Sequence, residues 1–237
     1  MPNRLLITIA ILGGTGKEGR GLALRWARAG YKIIIGSRSA EKATTAAEEL
    51  KARLAADAPT LPPDTPFDTF FSIQGTDNLS AAQQADIVAL TVPYAAHRQT
   101  LETVKDALHG KILVDATVPL DPEKVSKVHL PPAGSAAQEA REILGKGVEI
   151  VDAFQNISYE HLIAENSAGC DVLVTGTSKE ARTEVLKLVE AAGFIGWDAG
   201  PLENSAVVEG LSSLLIYINR RYKSKHAGIM ITGISKI

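Results

Sequence analysis

The chain has 237 residues, 45% of them hydrophobic, with 25 basic and 27 acidic side chains and a formal charge of −2. That length and apolar content support one large α/β domain, or a main domain with a small second one, and argue against disorder. The near-neutral balance gives no electrostatic case for nucleic acid or an anionic membrane as partner. A single cysteine excludes an internal disulfide and fits a reducing cytoplasm, the expected location. The chain enters its first apolar segment with no cleavable small-residue site, so no signal peptide is expected. The longest late apolar run, residues 214–218, is far short of the ~20 residues needed to cross a bilayer.

Residues 5–12 are almost wholly apolar and rich in isoleucine, as expected of a strand buried on both faces. Gly14, Gly16 and Gly19 follow at once as G-x-G-x-x-G, and Leu22, Ala23, Trp26 and Ala27 then recur at helical spacing up to Gly30. Strand, glycine turn and helix form the context of a dinucleotide site. Gly14 is expected to make the tight turn, Gly16 to let the backbone approach a pyrophosphate, and Gly19 to pack the helix on the strand. Thr15, Lys17 and Glu18 fill the loop and first turn, where free N–H groups face the phosphates. Residues 31–35 read as the second strand, ending Gly36-Ser37-Arg38-Ser39. An NAD site carries Asp or Glu at this point to accept from the ribose 2′-OH. Here a hydroxyl and a guanidinium stand instead, with Lys42 one turn on, so the expected cofactor is NADP. Two hydrogen bonds to a charged phosphate would favour NADP over NAD by at most roughly 3–6 kcal/mol.

Residues 40–56 are strongly helical by composition. Residues 57–68 carry four prolines and read as a surface loop of no assigned purpose, with a short strand at 69–73 and a short helix at 78–84. The apolar strand 86–92 ends Val92-Pro93-Tyr94, which the doubly wound pattern places beside the dinucleotide. A helix over 94–108 and a strand over 112–115 follow, and Val118 sits at the equivalent strand end. Residues 121–132 read as irregular; 135–144 as a helix with Ser135 as N-cap; 148–152 as a strand; and 170–174 as the last clear strand. Thr177 to Glu180 reads as a capping box for a helix to Ala192, and 197–202 as a loop. Residues 205–222 form an amphipathic helix whose stripe of Val207, Val208, Leu211, Leu214, Leu215 and Ile218 suits core packing or a subunit interface equally.

No hydrolytic triad and no metal-ligand spacing is present, and no metal is expected. His97 lies on the helix after Val92, either near the cofactor or on the surface. Cys170 reads as inert core. Asp115 and Asp152 end strands on the ligand side, a placement more often explained by hydrogen bonds to loop N–H groups. There is no Tyr-x-x-x-Lys pair and no clear general acid, so no catalytic side chain is assigned. Hydride transfer between two ring cofactors needs alignment more than a protein acid.

The sequence resembles the coenzyme F420-dependent NADP oxidoreductases. The matching pieces are Leu12-Gly-Gly-Thr-Gly16, Gly36-Ser-Arg38 with Lys42, Thr91-Val-Pro93, Ala153-Phe-Gln-Asn-Ile157, Asp198-Ala-Gly-Pro-Leu202 and Ile218-Asn-Arg-Arg-Tyr-Lys223 with Ala227-Gly-Ile229. The resemblance implies a Rossmann-type, doubly wound, mostly parallel sheet over 1–175. It adds a small C-terminal helical subdomain over 176–237 that completes the F420 site and a homodimer interface. It further implies that Thr15, Ser37, Arg38 and Lys42 hold the 2′-phosphate and its ribose, and that Gly16 and Lys17 lie at the pyrophosphate through backbone N–H, with Gly14 and Glu18 also among the cofactor-binding residues. Val92, Pro93 and Val118 would flank the nicotinamide. Gln155, Asn156, Ile157 and Ala227 would line the deazaflavin of F420. Archaeal members have a histidine at the Gln155 position; glutamine cannot change charge near neutral pH, so it is assigned orientation only. Arg220, Arg221, Lys223 and Lys225 are candidates for the F420 tail. Three other readings stay open: a reductase domain like that of membrane metalloreductases, an imine or ketone reductase using His97 or Tyr94 as acid, and a non-enzymatic NADP sensor.

Overall fold

The computed structural model describes residues 7–56, 71–164 and 169–234. In chain order the strands are β1 (Thr8–Leu12), β2 (Lys32–Ser37), β3 (Ile73–Asp77), β4 (Ile87–Leu90), β5 (Ile112–Asp115), β6 (Glu149–Asp152), β7 (Asp171–Gly176) and β8 (Ile195–Pro201). The helices are α1 (Lys17–Arg28), α2 (Ala40–Ala56), α3 (Asn78–Gln84), α4 (Tyr94–Val104), α5 (Ala136–Leu144), α6 (Tyr159–Ile163), α7 (Lys179–Ala191) and α8 (Ser205–Tyr222). The strands form one sheet in the order β3-β2-β1-β4-β5-β6-β7-β8. All neighbours are parallel except β6 and β7.

The alternation of side chains in β1 and β2 builds a core on each face. Ile9, Ile11, Ile33 and Ile35 join Leu22, Trp26, Ala43 and Val185 on one side. Ala10, Leu12 and Ile34 join Ala81, Leu101 and Ala140 on the other. Both faces of the central strands are therefore dry, as the apolar run of β1 demands. After β1 the chain winds outward through β2 to β3, then returns across β1 to β4. That reversal opens a crevice beyond the carboxyl ends of β1 and β4, where ligands of such sheets bind.

Several sequence expectations need correction. The strand expected at 69–73 is β3, four residues later at its start, and the proline-rich 57–68 segment lies outside the described residues. The helix expected to reach Leu108 is α4, with a 3-10 turn over Lys105–Leu108. Residues 197–202 are not a loop: Trp197 to Pro201 belong to β8, which pairs with β7. The N-cap of α7 is Ser178, whose hydroxyl accepts from Ala181 N–H at 3.2 Å. Thr177 instead bonds Glu149 and accepts from Ile150 N–H at 3.1 Å. Ser135 caps α5 as expected, accepting from Gln138 N–H at 3.0 Å. The stripe on α8 divides: Val208 and Leu215 are buried, whereas Val207, Leu214 and Ile218 are exposed.

Candidate functional site

The glycine turn is built for close approach at Gly13, Gly14 and Gly19. Gly13, at φ +75°, makes the left-handed turn expected of Gly14. At Gly14 the constraint is proximity: a Cβ there would lie 2.6 Å from the Ile11 carbonyl, and its N–H donates to Gly36 O at 3.0 Å. A Cβ on Gly19 would meet Gly14 Cα at 2.6 Å and Thr91 Oγ1 at 2.7 Å, so α1 packs directly on the strand ends. Gly16 differs, with only Gly13 O at 3.3 Å, and it opens α1 with no side-chain cap. The uncapped helix end faces a cleft of about 730 Å³, where its free N–H groups and positive dipole suit an anion.

Thr15, Gly16, Lys17, Glu18, Ser37 and Arg38 line one end of this cleft. Ser37 is buried at the tip of β2, and Arg38 is exposed beside it with no ion-pair partner among the described residues. Lys42 is exposed on α2 and does not line the cleft, nor does Gly14. Val92, Pro93 and Val118 line the centre, and Gln155, Asn156 and Ile157 the far end. A positive φ of 75° at Phe154 aims this last turn, and the Phe154 ring is fixed edge-on to Trp26 at 5.7 Å.

A further wall comes from α8 and the segment that follows it, through Ala227. Ser212, Leu215, Ile216 and Asn219 present one face of α8 to the cleft. The chain then turns at Lys223, φ +54°, and runs back as a strap. Asn219 Oδ1 accepts from Ala227 N–H at 2.9 Å, His161 Nε2 donates to His226 O at 2.7 Å, and the Asp171 carboxylate accepts from Ile231 N–H at 2.7 Å. These anchors bring Lys225 and Ala227 into the cleft; Arg220, Arg221 and Lys223 do not line it. Reading α8 only for its apolar stripe missed Ser212 and Asn219, although their seven-residue spacing marks a second, polar face.

Beneath the far end lies a buried polar network. His97 is fully buried, neither on the surface nor in the cleft, with Nε2 2.7 Å from Asp115 Oδ2. Burial, the largest single influence, lowers the affinity of this imidazole for a proton, but the carboxylates of Asp115, Glu139 and Glu209 together outweigh it and the net shift is upward. Asp115 Oδ1 accepts from Thr117 N–H at 3.0 Å, as expected of a strand-end carboxylate. Asp152 is also buried, and burial together with nearby Glu209 and Asp115 holds its carboxyl well above the usual range. Glu209 accepts from the N–H groups of Ala136 and Ala137 at 2.8 and 3.0 Å, at the start of α5. Burial nevertheless pushes its carboxyl up to about 8. Tyr94 reaches the cleft, but its hydroxyl donates to Glu139 at 2.7 Å, and burial and that carboxylate raise its pKa. Neither acid expected of a ketone or imine reductase offers the cleft a free proton.

The donor and acceptor pattern suits a polar ligand. Asn78 Oδ1, Thr117 Oγ1, Gln155 Oε1 and Asn156 Oδ1 are buried without a partner among the described residues, and all four belong to residues that line the cleft. Buried polar atoms without partners are rare in folded proteins because each costs about 1–3 kcal/mol. A bound group that donates to them would remove that cost.

A model of the family "NADP oxidoreductase coenzyme F420-dependent" matches residues 8–119. The F420-dependent NADP reductase of Methanocaldococcus jannaschii is 40% identical over 231 residues, covering 95% of this chain and 98% of the relative. The enzyme of the same name from Methanothermobacter marburgensis is 38% identical over 232 residues, with the same coverage. The chain belongs to the F420-dependent NADP reductase family. A crystal structure from Arthrobacter sp. FB24, provisionally named an F420-dependent NADP reductase, matches the fold with a TM-score of 0.76 at 24% identity, covering 95% of this chain and 99% of that one. Membership agrees with the glycine turn, the Ser37–Arg38 strand end and the Gln155–Ile157 turn meeting in one cleft.

Proposed function

We propose that this F420-dependent NADP reductase binds NADP(H) and coenzyme F420 together in the cleft and passes a hydride between C4 of the nicotinamide and C5 of the deazaflavin. Thr15, Ser37 and Arg38 hold the 2′-phosphate and ribose, with Lys42 adding charge from outside the cleft. The N-terminus of α1, from Gly16 to Glu18, takes the pyrophosphate. Val92, Pro93 and Val118 flank the nicotinamide, and Gln155, Asn156, Ile157 and Ala227 lie along the deazaflavin. The hydride moves from C4 to C5 and a proton from solvent goes to N1 of the deazaflavin, so no side chain is assigned as the acid; the protein's work is alignment of the two rings.

The observation that carries this reading is the character of the cleft. The end at β2 presents Lys17 and Arg38, the end at β5 and β6 presents the unpaired Thr117 Oγ1, Gln155 Oε1 and Asn156 Oδ1, and the hydroxyl of Tyr94 is already committed to Glu139. The test is absorbance at 420 nm with purified protein, F420 and either NADPH or NADH. Loss with NADPH and much slower loss with NADH is the expected result. No loss with either, while NADPH still binds, would favour an imine or ketone reductase instead.

The exposed face of α8, with Val207, Leu214, Tyr217, Ile218 and Tyr222, supports a homodimer joined through this helix. Sedimentation equilibrium should give twice the 25.1 kDa chain mass, and Leu214→Asp should give a monomer. No described helix is long and apolar enough to cross a membrane, and we place the enzyme in the cytoplasm, without a nucleic-acid partner, on composition.

A further inference from the structure

The side-chain amide of Gln155 can be oriented by chemistry alone. Its Nε2 lies 2.7 Å from the main-chain oxygen of Asp115, a carbonyl that can only accept. The atom facing it must therefore be the NH2 group, whichever way the amide is drawn. The second amide hydrogen goes to Asp152 Oδ1. Both donors are then used, and the amide keeps one free capacity, the acceptor Oε1, which is buried without a partner among the described residues. Gln155 is buried, and it lines the cleft. Its main-chain oxygen is tied down as well, by Ser212 Oγ at 2.8 Å. Asp152 is itself held, its Oδ2 at 3.4 Å from Thr175 Oγ1, which shares a hydrogen bond of 2.6 Å with Ser205.

We propose that Asp152 is a positioning residue that fixes Gln155 as a pure acceptor, and that this acceptor makes the site prefer the reduced deazaflavin over the oxidised one. The inference rests on the reading that Gln155 lies along the deazaflavin. The pyrimidine ring of the oxidised deazaflavin has an N–H at N3 only, and reduction adds a second at N1. Gln155 Oε1 is placed opposite N1: there it is satisfied by the N1–H of the reduced form and faces the N1 lone pair of the oxidised form, whereas opposite N3–H it would bind both forms alike. A buried acceptor that gains or lacks its partner changes affinity by about tenfold.

The role asks of Asp152 only a carbonyl-type oxygen toward Gln155, not a negative charge. Asparagine can supply that oxygen and point its own NH2 at Thr175, whereas alanine cannot. The test is anaerobic calorimetry, measuring Kd for F420, F420H2 and NADP+ with the wild type, Asp152→Asn and Asp152→Ala. The expected result is a roughly tenfold preference for F420H2 in the wild type. It is retained in Asp152→Asn and falls to near unity in Asp152→Ala, with Kd for NADP+ unchanged in all three. Equal loss in both variants would overturn the proposal in favour of a charge or proton role, and retention in both would overturn it outright. If Asp152→Ala does not fold, Gln155→Met decides in its place. Loss of the preference there, with Asp152→Asn keeping it, supports the proposal; a retained preference, or a loss of NADP+ affinity instead, overturns it. A wild type that binds both forms of F420 equally also overturns it. A wild type that binds NADP+ but neither form of F420 contradicts the functional reading itself.

Discussion

The two ends of the cleft are built in contrasting ways. At the β2 end, Arg38 lines the cleft beside the buried Ser37 and is exposed, in no ion pair with a described residue, with Lys42 exposed just outside the cleft. At the β5–β6 end, His97, Asp115, Asp152 and Glu209 are fully buried and Gln155 and Asn156 nearly so, and most of their polar atoms are already spoken for. Solvated charges attract an anion at long range and tolerate variation in its pose, but salt screens them. A desolvated network contributes no charge at the cleft surface. It fixes a few acceptors at set positions, and leaving one unmatched is costly. The first device suits telling NADPH from NADH, which differ by a whole phosphate. The second suits a ring system whose redox states differ by a hydride at C5 and a proton at N1, and so by one N–H donor.

Variants can break this contrast from either side. The largest effect is expected for Ser37→Asp, which puts a carboxylate at the proposed 2′-phosphate site. kcat/KM for NADPH should fall by roughly a hundredfold or more while that for NADH is little changed, as repulsion replaces a charge-assisted hydrogen bond. Steady-state kinetics with both nucleotides checks it; an equal loss with both would place the phosphate elsewhere.

Next comes the pH dependence of stability from the buried end. The Glu209 carboxyl is raised from an ordinary 4.5 to about 8 by burial. Between those values the folded protein holds a proton that the unfolded chain releases, so stability falls as pH rises through that window. His97, with its net upward shift, acts in the same direction: its contribution is full below the usual histidine value and is lost as pH rises through the folded one. The melting temperature should therefore drop between pH 5 and 9, by on the order of 5 °C or more. Glu209→Gln should flatten that drop, lowering Tm at pH 5 and losing less at pH 9. An unchanged slope in this variant would remove Glu209 from the account.

Smaller effects are expected of the outlying lysines. Lys225→Ala should raise KM for F420 severalfold at low salt, an exposed charge contributing up to about 1 kcal/mol. Arg220→Ala and Arg221→Ala should not, because only Lys225 of this basic group lines the cleft. Lys42→Ala should raise KM for NADPH no more than about threefold, with the difference disappearing as salt is added.

The same contrast decides what could be read from the chain alone. The β2 end is local in sequence: a strand, three glycines, a helix and the next strand end all lie within residues 8–42, and each carries its own signal. The buried end is assembled from distance. His97 and Asp115 meet because β4 and β5 are adjacent parallel strands and α4 folds back over them. Glu209 reaches the start of α5 from 73 positions away. No spacing rule announces such pairs, so the sequence leaves His97 between cofactor and surface and does not single out Glu209. β8 was missed for another reason. It is an edge strand containing Gly196, Gly200 and Pro201, residues that read as a loop and that edges tolerate. The glycine turn was recognised, but its left-handed residue lies one position earlier, at Gly13, because the approach of the Ile11 carbonyl at Gly14 is visible only in three dimensions.

The central claim is that both ligands occupy the cleft at once and that the hydride passes directly between them. Single-turnover mixing of the enzyme–NADPH complex with F420 tests it most directly, with NADPH deuterated at the transferred position on C4 as the comparison. The account predicts a single phase of absorbance loss at 420 nm, slowed by deuterium, with the label recovered at C5 of the reduced deazaflavin. Release of NADP+ before F420 is added, or loss of the label to solvent, would contradict it.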